Sequence, residues 1–310
     1  MPRWRFSTAW PLAFALLLAL LGSAARADAE KLRVVATFSI LGDLASQVGG
    51  DRVAVTTLVK PDADAHGYAP APSDAKTLAA ADLVVVNGLG LEGWIDRLIK
   101  ASGTKAPVVV ASKGIKPIEE PEESGHGHGH GHDHHADPHA WQSIANAKVY
   151  VANIRDGLVK RDPAHAAVYE ARAKAYLGEL DALEGEVRAT IANIPPARRR
   201  IITTHDAFGY FTAAYGLTFI APQGVSMDSE ASPRDVARIV RQIKAEKIPA
   251  VFLETIADPR LMEQIARESG ATVGGKVYSD ALSGPDGPAP TYVGMMRHNL
   301  AAFAKALGQP

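Results

Sequence analysis

The residues with the clearest capacity for chemistry are histidines, and most of them lie in one short stretch. Seven of the chain's eleven histidines fall within GHGHGHGHDHHADPHAW, residues 125–141. Imidazole nitrogen is a preferred ligand of zinc and of several other transition metals, so this concentration predicts metal binding. The stretch either serves one purpose throughout or joins two devices, a flexible histidine run and a single placed histidine, His139, which follows Pro138.

Three residues outside the run occupy positions that suit a metal ligand. His66 lies in a proline-punctuated turn after the strand-like VAVTTLV, His205 directly follows RIITT, and Asp280 follows GGKVYS. Open α/β sheets bind ligands at the carboxyl ends of parallel strands, so loops from two sheets can present these side chains across a cleft. Together with His139 they would supply three neutral imidazoles and one carboxylate, a complete tetrahedral shell for a metal such as zinc.

Each of these residues also has an ordinary structural explanation. A single histidine beside a strand is often a hydrogen-bonded structural residue, and Asp280 could cap a helix. Glu254, which ends AVFLE, is a competing carboxylate that could instead pair with a nearby arginine or lysine. If Asp280 is the ligand, we expect neutralising Glu254 to leave metal binding unchanged. His165 and His298 are predicted to face solvent, and spacing alone does not decide among these alternatives.

The segments that must position these residues alternate between strands and helices. Short β-branched runs such as KLRVVAT, LVVVN and PVVVA are separated by helix-like stretches, and the alternation returns after residue 200. This pattern predicts two parallel-sheet α/β lobes, each with its own core and with the metal site in the cleft between them. Apolar residues at spacings of three and four predict one long rigid helix from Asp162 to Asn193, roughly 48 Å long, that joins the lobes. The predicted boundaries are 28–161 for the N-terminal lobe, 162–195 for the linking helix and 196–310 for the C-terminal lobe.

The first 27 residues have the organisation of a secretory signal peptide. Arg3 and Arg5 precede an apolar stretch, and Ala25-Arg26-Ala27 has the small-x-small pattern of a cleavage site. Cleavage would remove three arginines and no acid, leaving 30 Lys and Arg against 34 Asp and Glu, a net charge that argues against nucleic acid. The chain has no cysteine, so we expect neither disulfides, nor thiolate ligands, nor a lipid anchor. A soluble periplasmic protein is the prediction.

Five segments resemble, in order along the chain, the motifs of one known family. They are HGYAPAPSD, NGLGLEGWIDRL, DPHAW, THDAFGYFTAAYG and YSDALS. They resemble motifs of the cluster A-I family, the substrate-binding proteins of zinc and manganese ABC transporters. The resemblance covers essentially the whole chain after the signal segment, and it implies that His66, His139, His205 and Asp280 are the metal ligands, in a cleft between lobes held by a rigid helix. Some zinc members place a glutamate beside the first histidine, but Ala65 stands there in this chain.

On this interpretation, His139 belongs to the site and the rest of the run belongs to a loop inserted in the first lobe, residues 119–136. The loop contains several acids, has glycine at every second place from residue 125 to 131, and lacks the apolar periodicity of a packed segment. We predict an auxiliary metal site of weak affinity, because ordering a flexible chain around an ion costs conformational entropy. Its histidines are His126, His128, His130, His132, His134 and His135. The alternative is low-complexity drift with no function.

The predicted function is capture of zinc in the periplasm and delivery to the permease of an ABC importer. Zinc is favoured over manganese because a manganese site is expected to hold more oxygen ligands. The alternatives are a manganese receptor of the same family and a periplasmic zinc buffer or metallochaperone. A zinc hydrolase is disfavoured, because four protein ligands leave no open coordination position. We expect a monomer, with a periplasmic zinc chaperone as a further candidate partner.

Overall fold

The computed structural model describes residues 31–119, 136–227 and 230–308. The predicted signal peptide and the six histidines of the predicted auxiliary loop lie outside these ranges. None of the helices within them is long and apolar enough to cross a membrane.

The first lobe is built on a four-stranded parallel sheet with strand order β2-β1-β3-β4. Its strands are Leu32–Ala36 (β1), Val53–Thr57 (β2), Leu83–Val86 (β3) and Val108–Val110 (β4). Its helices are Ser39–Gly49 (α1), Pro72–Ala79 (α2), Ile95–Ser102 (α3) and Ile144–Arg161 (α4). All four residues of β3 are buried, as expected of a central parallel strand covered on both faces.

The second lobe repeats this plan with a parallel sheet of strand order β6-β5-β7-β8. Its strands are Arg200–Ile202 (β5), Thr218–Ile220 (β6), Ala250–Glu254 (β7) and Thr272–Val277 (β8). Its helices are Gly209–Tyr215 (α6), Pro233–Glu246 (α7), Arg260–Ser269 (α8) and Tyr292–Leu307 (α9). The prediction of two parallel-sheet α/β lobes is therefore confirmed.

One long helix, Ala166–Ala192 (α5), links the lobes and buries a continuous apolar stripe. At ~1.5 Å per residue its 27 residues span about 40 Å, less than the length expected from the sequence. The helix starts later because Asp162 does not cap it. Instead the Asp162 carboxylate accepts a hydrogen bond from Tyr169 Oη at 2.7 Å and lies 2.8 Å from His165 Nδ1, and a short helical turn, Pro163–His165, precedes the helix.

The apolar core does not divide between the lobes as the sequence suggested. One cluster of buried side chains runs through the first lobe, the linking helix and one face of the second sheet, including α6 and α9. A smaller cluster lies on the opposite face of the second sheet, under α7 and α8. The expectation of one core per lobe is wrong, because α5 and α9 present apolar residues to both halves of the chain. The loops that carry the candidate ligands are therefore anchored on one largely continuous core.

Close packing of α4 on the first sheet generates a stability prediction. A Cβ added at Gly157 would overlap Val109 Cγ2, whereas a Cβ added at Gly178, on the exposed face of α5, would meet no atom within 4 Å. Both glycines are helical, so the same change to alanine gives the same propensity gain at each. We expect the Gly157→Ala protein to be less stable than the Gly178→Ala protein by about 1–3 kcal/mol, the usual effect of overpacking. Urea denaturation of the two metal-free variants measures the difference, and equal midpoints would contradict it.

Candidate metal centre

The four residues proposed as ligands come together where loops of the two lobes face each other. His66, His139, His205 and Asp280 each offer one ligand atom, and these atoms lie within 4.8 Å of one another. His66 lies in the loop after β2, His139 precedes the short helical turn Ala140–Gln142, His205 follows β5 and Asp280 follows β8. Each lobe contributes two of them, an arrangement that agrees with the strand-end argument made from the sequence.

The distances between these atoms suit coordination of a single ion. Asp280 Oδ2 lies 3.1 Å from His205 Nε2 and 3.3 Å from His66 Nε2, and Asp280 Oδ1 lies 3.5 Å from His139 Nε2. The Nε2 atoms of His66 and His139 are 3.1 Å apart. A tetrahedral zinc ion with bonds of about 2.05 Å separates its ligand atoms by roughly 3.3 Å. These four pairs therefore lie near the separation expected of a tetrahedral site.

The four side chains of this cluster are buried, and hydrogen bonds among them do not satisfy all of their polar atoms. The side chains of His139, His205 and Asp280 are fully buried, and that of His66 is 7% exposed. Two imidazole nitrogens point at each other, and among the described residues Asp280 Oδ1 has no hydrogen-bond partner. An unpaired buried oxygen costs about 1–3 kcal/mol. A divalent cation would accept lone pairs from all four groups, so the donor set fits a metal ion.

The electrostatics of the cluster come from opposed effects of burial and charge. Burial lowers the pKa of His139, but Asp280 and Asp137 outweigh it and raise that pKa to about 9. Burial likewise acts against the charged form of His205, yet Glu254 and Asp280 raise its pKa well above the ordinary value. Burial would raise the pKa of Asp280, and the neighbouring imidazoles hold it well below its usual range. The carboxylates thus make the site strongly attractive to positive charge.

His139 is fixed mainly by its own chain segment. Its backbone N–H donates to Asp137 Oδ1 at 2.9 Å, and the same oxygen lies 2.8 Å from its Nδ1. The indole of Trp141 packs near the imidazole, with ring centroids 5.3 Å apart. A carboxylate on Nδ1 leaves Nε2 free to act as a ligand. The DPHAW motif therefore contains both the candidate ligand and the group that orients it.

A buried network behind His139 gives the NGLGLEGW motif a physical role that the sequence analysis did not identify. Glu92 is almost fully buried and accepts hydrogen bonds from Thr37 Oγ1 at 2.5 Å and from the Asn87 backbone N–H at 2.7 Å. Burial raises the pKa of Glu92, and these bonds oppose that shift. Asn87 Nδ2 in turn donates to the Pro138 carbonyl at 2.9 Å, and Asn87 Oδ1 accepts from Tyr150 Oη. The motif thus holds the backbone immediately before His139.

The His66 loop is held by a second contact from the same motif. Trp94 Nε1 donates to the Ala65 carbonyl at 3.0 Å, and the His66 backbone N–H donates to Asp64 Oδ1 at 2.8 Å. Ala65 is fully buried. The variant site with a glutamate beside the first histidine is therefore absent here, in agreement with the sequence.

The sequence suggested that Glu254 is either a metal ligand or the partner of an arginine or lysine. Among the described residues, it belongs neither to the four-residue cluster nor to such an ion pair. Its Oε1 accepts hydrogen bonds from the backbone N–H groups of Thr204 at 2.7 Å and His205 at 3.0 Å. Its Oε2 accepts from Ser279 Oγ at 2.7 Å and lies 2.6 Å from His205 Nδ1, a short contact that is not aligned as a straight hydrogen bond. Its partners are therefore His205, the adjacent Thr204, and Ser279, which precedes Asp280, where the sequence suggested an arginine or lysine.

The remaining histidines of the described ranges lie away from the four-residue cluster. His165 Nδ1 is 2.8 Å from Asp162 Oδ2, and His298 Nε2 is 3.0 Å from the Lys276 carbonyl oxygen. His298 is only partly buried, consistent with the solvent-facing position predicted for it.

Comparisons with known proteins place the chain in a family. A sequence profile described as zinc-uptake complex component A, periplasmic (ZnuA), matches residues 34–306. The chain is 36% identical over 283 residues to the iron-binding protein YfeA of Yersinia pestis, covering 91% of this chain and 88% of that protein. It is 37% identical over 282 residues to the manganese-binding lipoprotein MntA of Halalkalibacterium halodurans, covering 91% and 90%.

Solved structures with the same fold are described as binding different metals. The periplasmic zinc-binding protein TroA of Treponema pallidum matches with a TM-score of 0.82 and 30% identity, covering 90% of this chain and all of that one. A manganese-bound periplasmic metal-binding protein from Candidatus Liberibacter asiaticus matches with a TM-score of 0.79 and 32% identity, covering 89% and 100%. From the profile match and these identities, the chain belongs to the ZnuA family of metal-binding substrate-binding proteins, which are transport proteins that serve the permeases of ABC transporters and not enzymes.

Proposed function

We propose that the protein binds one zinc ion through His66, His139, His205 and Asp280 and delivers it to the permease of an ABC importer. The observation that carries the proposal is the convergence of three imidazoles and one carboxylate, drawn from both lobes, within 4.8 Å. Ligands from two lobes bind tightly only when the lobes are together, so a change in lobe arrangement can release the ion. A receptor that hands over its cargo needs this property.

Zinc is the metal that the donor set supports best. Three imidazoles and one carboxylate match the nitrogen-rich tetrahedral coordination of zinc, and such sites bind zinc more tightly than manganese. Relatives are named for iron, manganese and zinc, so a manganese receptor is the second candidate. Crystals soaked in equal zinc and manganese and measured at both absorption edges identify the ion and its ligands together. Manganese at the four residues would contradict the proposal.

Delivery separates a receptor from a zinc buffer. We propose that the first 27 residues are removed on export and that the mature chain acts as a monomer in the periplasm, where a zinc chaperone is a candidate loading partner. Zinc uptake by cells with and without the permease tests the central step. A receptor stimulates uptake only when the permease is present, whereas a buffer changes periplasmic zinc content equally in both strains.

We also propose that the histidine run captures zinc weakly. His126, His128, His130, His132, His134 and His135 can offer several imidazoles to one ion. Glu119 and Ala136, on either side of the run, pair as an antiparallel bridge, and Ala136 is three residues before His139. This arrangement supports a role for the run in raising the local zinc concentration beside the four-residue site.

Replacing the most accessible ligand tests the four-residue site. We expect His66→Ala to weaken zinc binding by more than the roughly 10–100-fold that is typical when a hydrogen-bond partner behind a ligand is lost. Its side chain is 7% exposed and lies in a loop, so the metal-free variant should remain folded. Competition with a chelator measures affinity, circular dichroism reports folding, and His298→Ala is the matched control. Unchanged zinc affinity in His66→Ala would return this histidine to a structural role.

Deleting the histidine run tests the division between loop and site. We expect removal of residues 125–135 to abolish weak additional zinc binding and to preserve one tight site, because none of the four proposed ligands is deleted. Calorimetry should show the stoichiometry falling toward one while the tight phase keeps its affinity. Loss of the tight phase would contradict the division, and a control that replaces the six histidines with serine separates the loss of imidazoles from the shortening of the chain.

A further inference from the structure

Glu254 stands at a point of the second sheet from which its side chain reaches both of the loops that carry that lobe's candidate ligands. In the strand order β6-β5-β7-β8, strand β7 lies between β5, which precedes His205, and β8, which precedes Asp280. Glu254 is the last residue of β7 and is 3% exposed. Because parallel strands end at the same edge of a sheet, its carboxylate lies between the two ligand loops.

The two oxygens of this carboxylate have different tasks. Oε1 accepts hydrogen bonds from two backbone N–H groups, those of Thr204 and His205, and so fixes the start of the first ligand loop. Oε2 accepts a hydrogen bond from Ser279 Oγ, one residue before Asp280, and faces His205 Nδ1 at 2.6 Å. One buried carboxylate therefore ties the two ligand loops to each other and to the end of β7.

The contact with His205 Nδ1 determines where the imidazole carries its proton. A nitrogen and an oxygen 2.6 Å apart favour a proton on the nitrogen even when the contact is not straight, because two facing lone pairs would repel at this distance. With that proton on Nδ1, the lone pair of a neutral ring lies on Nε2, which is 3.1 Å from Asp280 Oδ2 and points into the metal cluster. The reverse tautomer would put a proton where the ion must bind.

We propose that Glu254 is a positioning residue for metal binding. It selects the His205 tautomer that can coordinate the ion, and it holds the loops of His205 and Asp280 in fixed positions relative to each other. The inference rests on the proposed metal site. It replaces the expectation from sequence that neutralising Glu254 leaves binding unchanged. Carboxylates that accept the second N–H of a ligating histidine are a general means of orienting such ligands, and losing them weakens metal binding about 10–100-fold.

Asp137 provides an internal comparison, because it orients His139 in a different way. A single oxygen, Oδ1, accepts from the His139 backbone N–H and also faces Nδ1. An asparagine at position 137 can keep its carbonyl oxygen in that place, so Asp137→Asn removes charge and preserves the tautomer. Glutamine at position 254 cannot do the same. Its carbonyl oxygen must stay on the two backbone N–H groups, which leaves its NH₂ group facing His205 Nδ1 and moves the ring proton to Nε2.

The test compares zinc affinities of Glu254→Gln and Asp137→Asn by chelator competition. We expect Glu254→Gln to bind zinc about 100-fold more weakly than the unaltered protein, and Asp137→Asn to lose less than about 10-fold, since only the first change inverts a tautomer. Ser279→Ala keeps the carboxylate and should lose less than Glu254→Gln. Equal losses in Glu254→Gln and Asp137→Asn would mean that charge alone matters and would overturn the tautomer role.

A second measurement tests the inference without relying on a variant. In the zinc-loaded unaltered protein, ¹⁵N NMR of labelled histidine should show His205 with its proton on Nδ1 and its Nε2 bound to metal. A proton on Nε2 would overturn the proposal even if Glu254→Gln proves too unstable to study. The proposed function fails separately, when the unaltered protein shows no tight zinc binding or when His66→Ala binds zinc normally.

Discussion

The main constraint on the structure is the free energy needed to bury four polar side chains together, out of contact with water. Three imidazoles and one carboxylate meet in a volume from which solvent is almost excluded. Each would be unfavourable there alone, since buried charges and unpaired polar atoms need partners. A divalent cation would satisfy all four at once. Burial lowers the pKa of His139 and His205, but the neighbouring carboxylates outweigh burial and raise both pKa values, so these two rings attract positive charge.

The fold meets this demand by supporting two of the proposed ligands, His139 and His205, with buried groups of their own. Asp137 orients His139, Glu254 orients His205, and a chain from Glu92 through Asn87 holds the backbone before His139. These supporting groups lie at strand ends or in the loops that follow them. The sheets therefore fix the positions of the strand ends, and short hydrogen bonds and polar contacts from there orient the proposed ligand side chains.

Much of this arrangement could be predicted from sequence, because the signals are local. The β-branched runs predict parallel strands, and His205 and Asp280 follow such runs at once, so their place at strand ends needs only secondary structure. Glu254 has the same signal, since it also ends a strand. Its role could not be read from sequence, because it depends on strand order: only when β7 lies between β5 and β8 does its carboxylate reach both loops.

The continuous core was missed for a related reason. Periodicity shows that a helix has an apolar face, but it does not show what covers that face. Helix α9 comes last in the chain and packs against α1 and α5 as well as β8, so apolar residues assigned to the second lobe also complete the first. The start of α5 was misplaced because Asp162 binds side chains in place of the helix backbone, a choice between two local options that the sequence leaves open.

Asp280 follows a strand of the second lobe, but the residue before it is bonded to both lobes. The Ser279 carbonyl accepts hydrogen bonds from Trp141 Nε1 at 3.0 Å and Gln142 Nε2 at 2.9 Å, both in the first lobe, while the Ser279 hydroxyl donates to Glu254 in the second. Each such buried bond contributes about 0.5–1.5 kcal/mol, and more when one partner is charged. Any separation of the lobes around the ion must break the bonds on one side of Ser279 or the other. Asp280 would then stay with the side that holds, so separation would divide the four proposed ligands either two and two or three and one, and neither lobe alone would complete the shell of an ion.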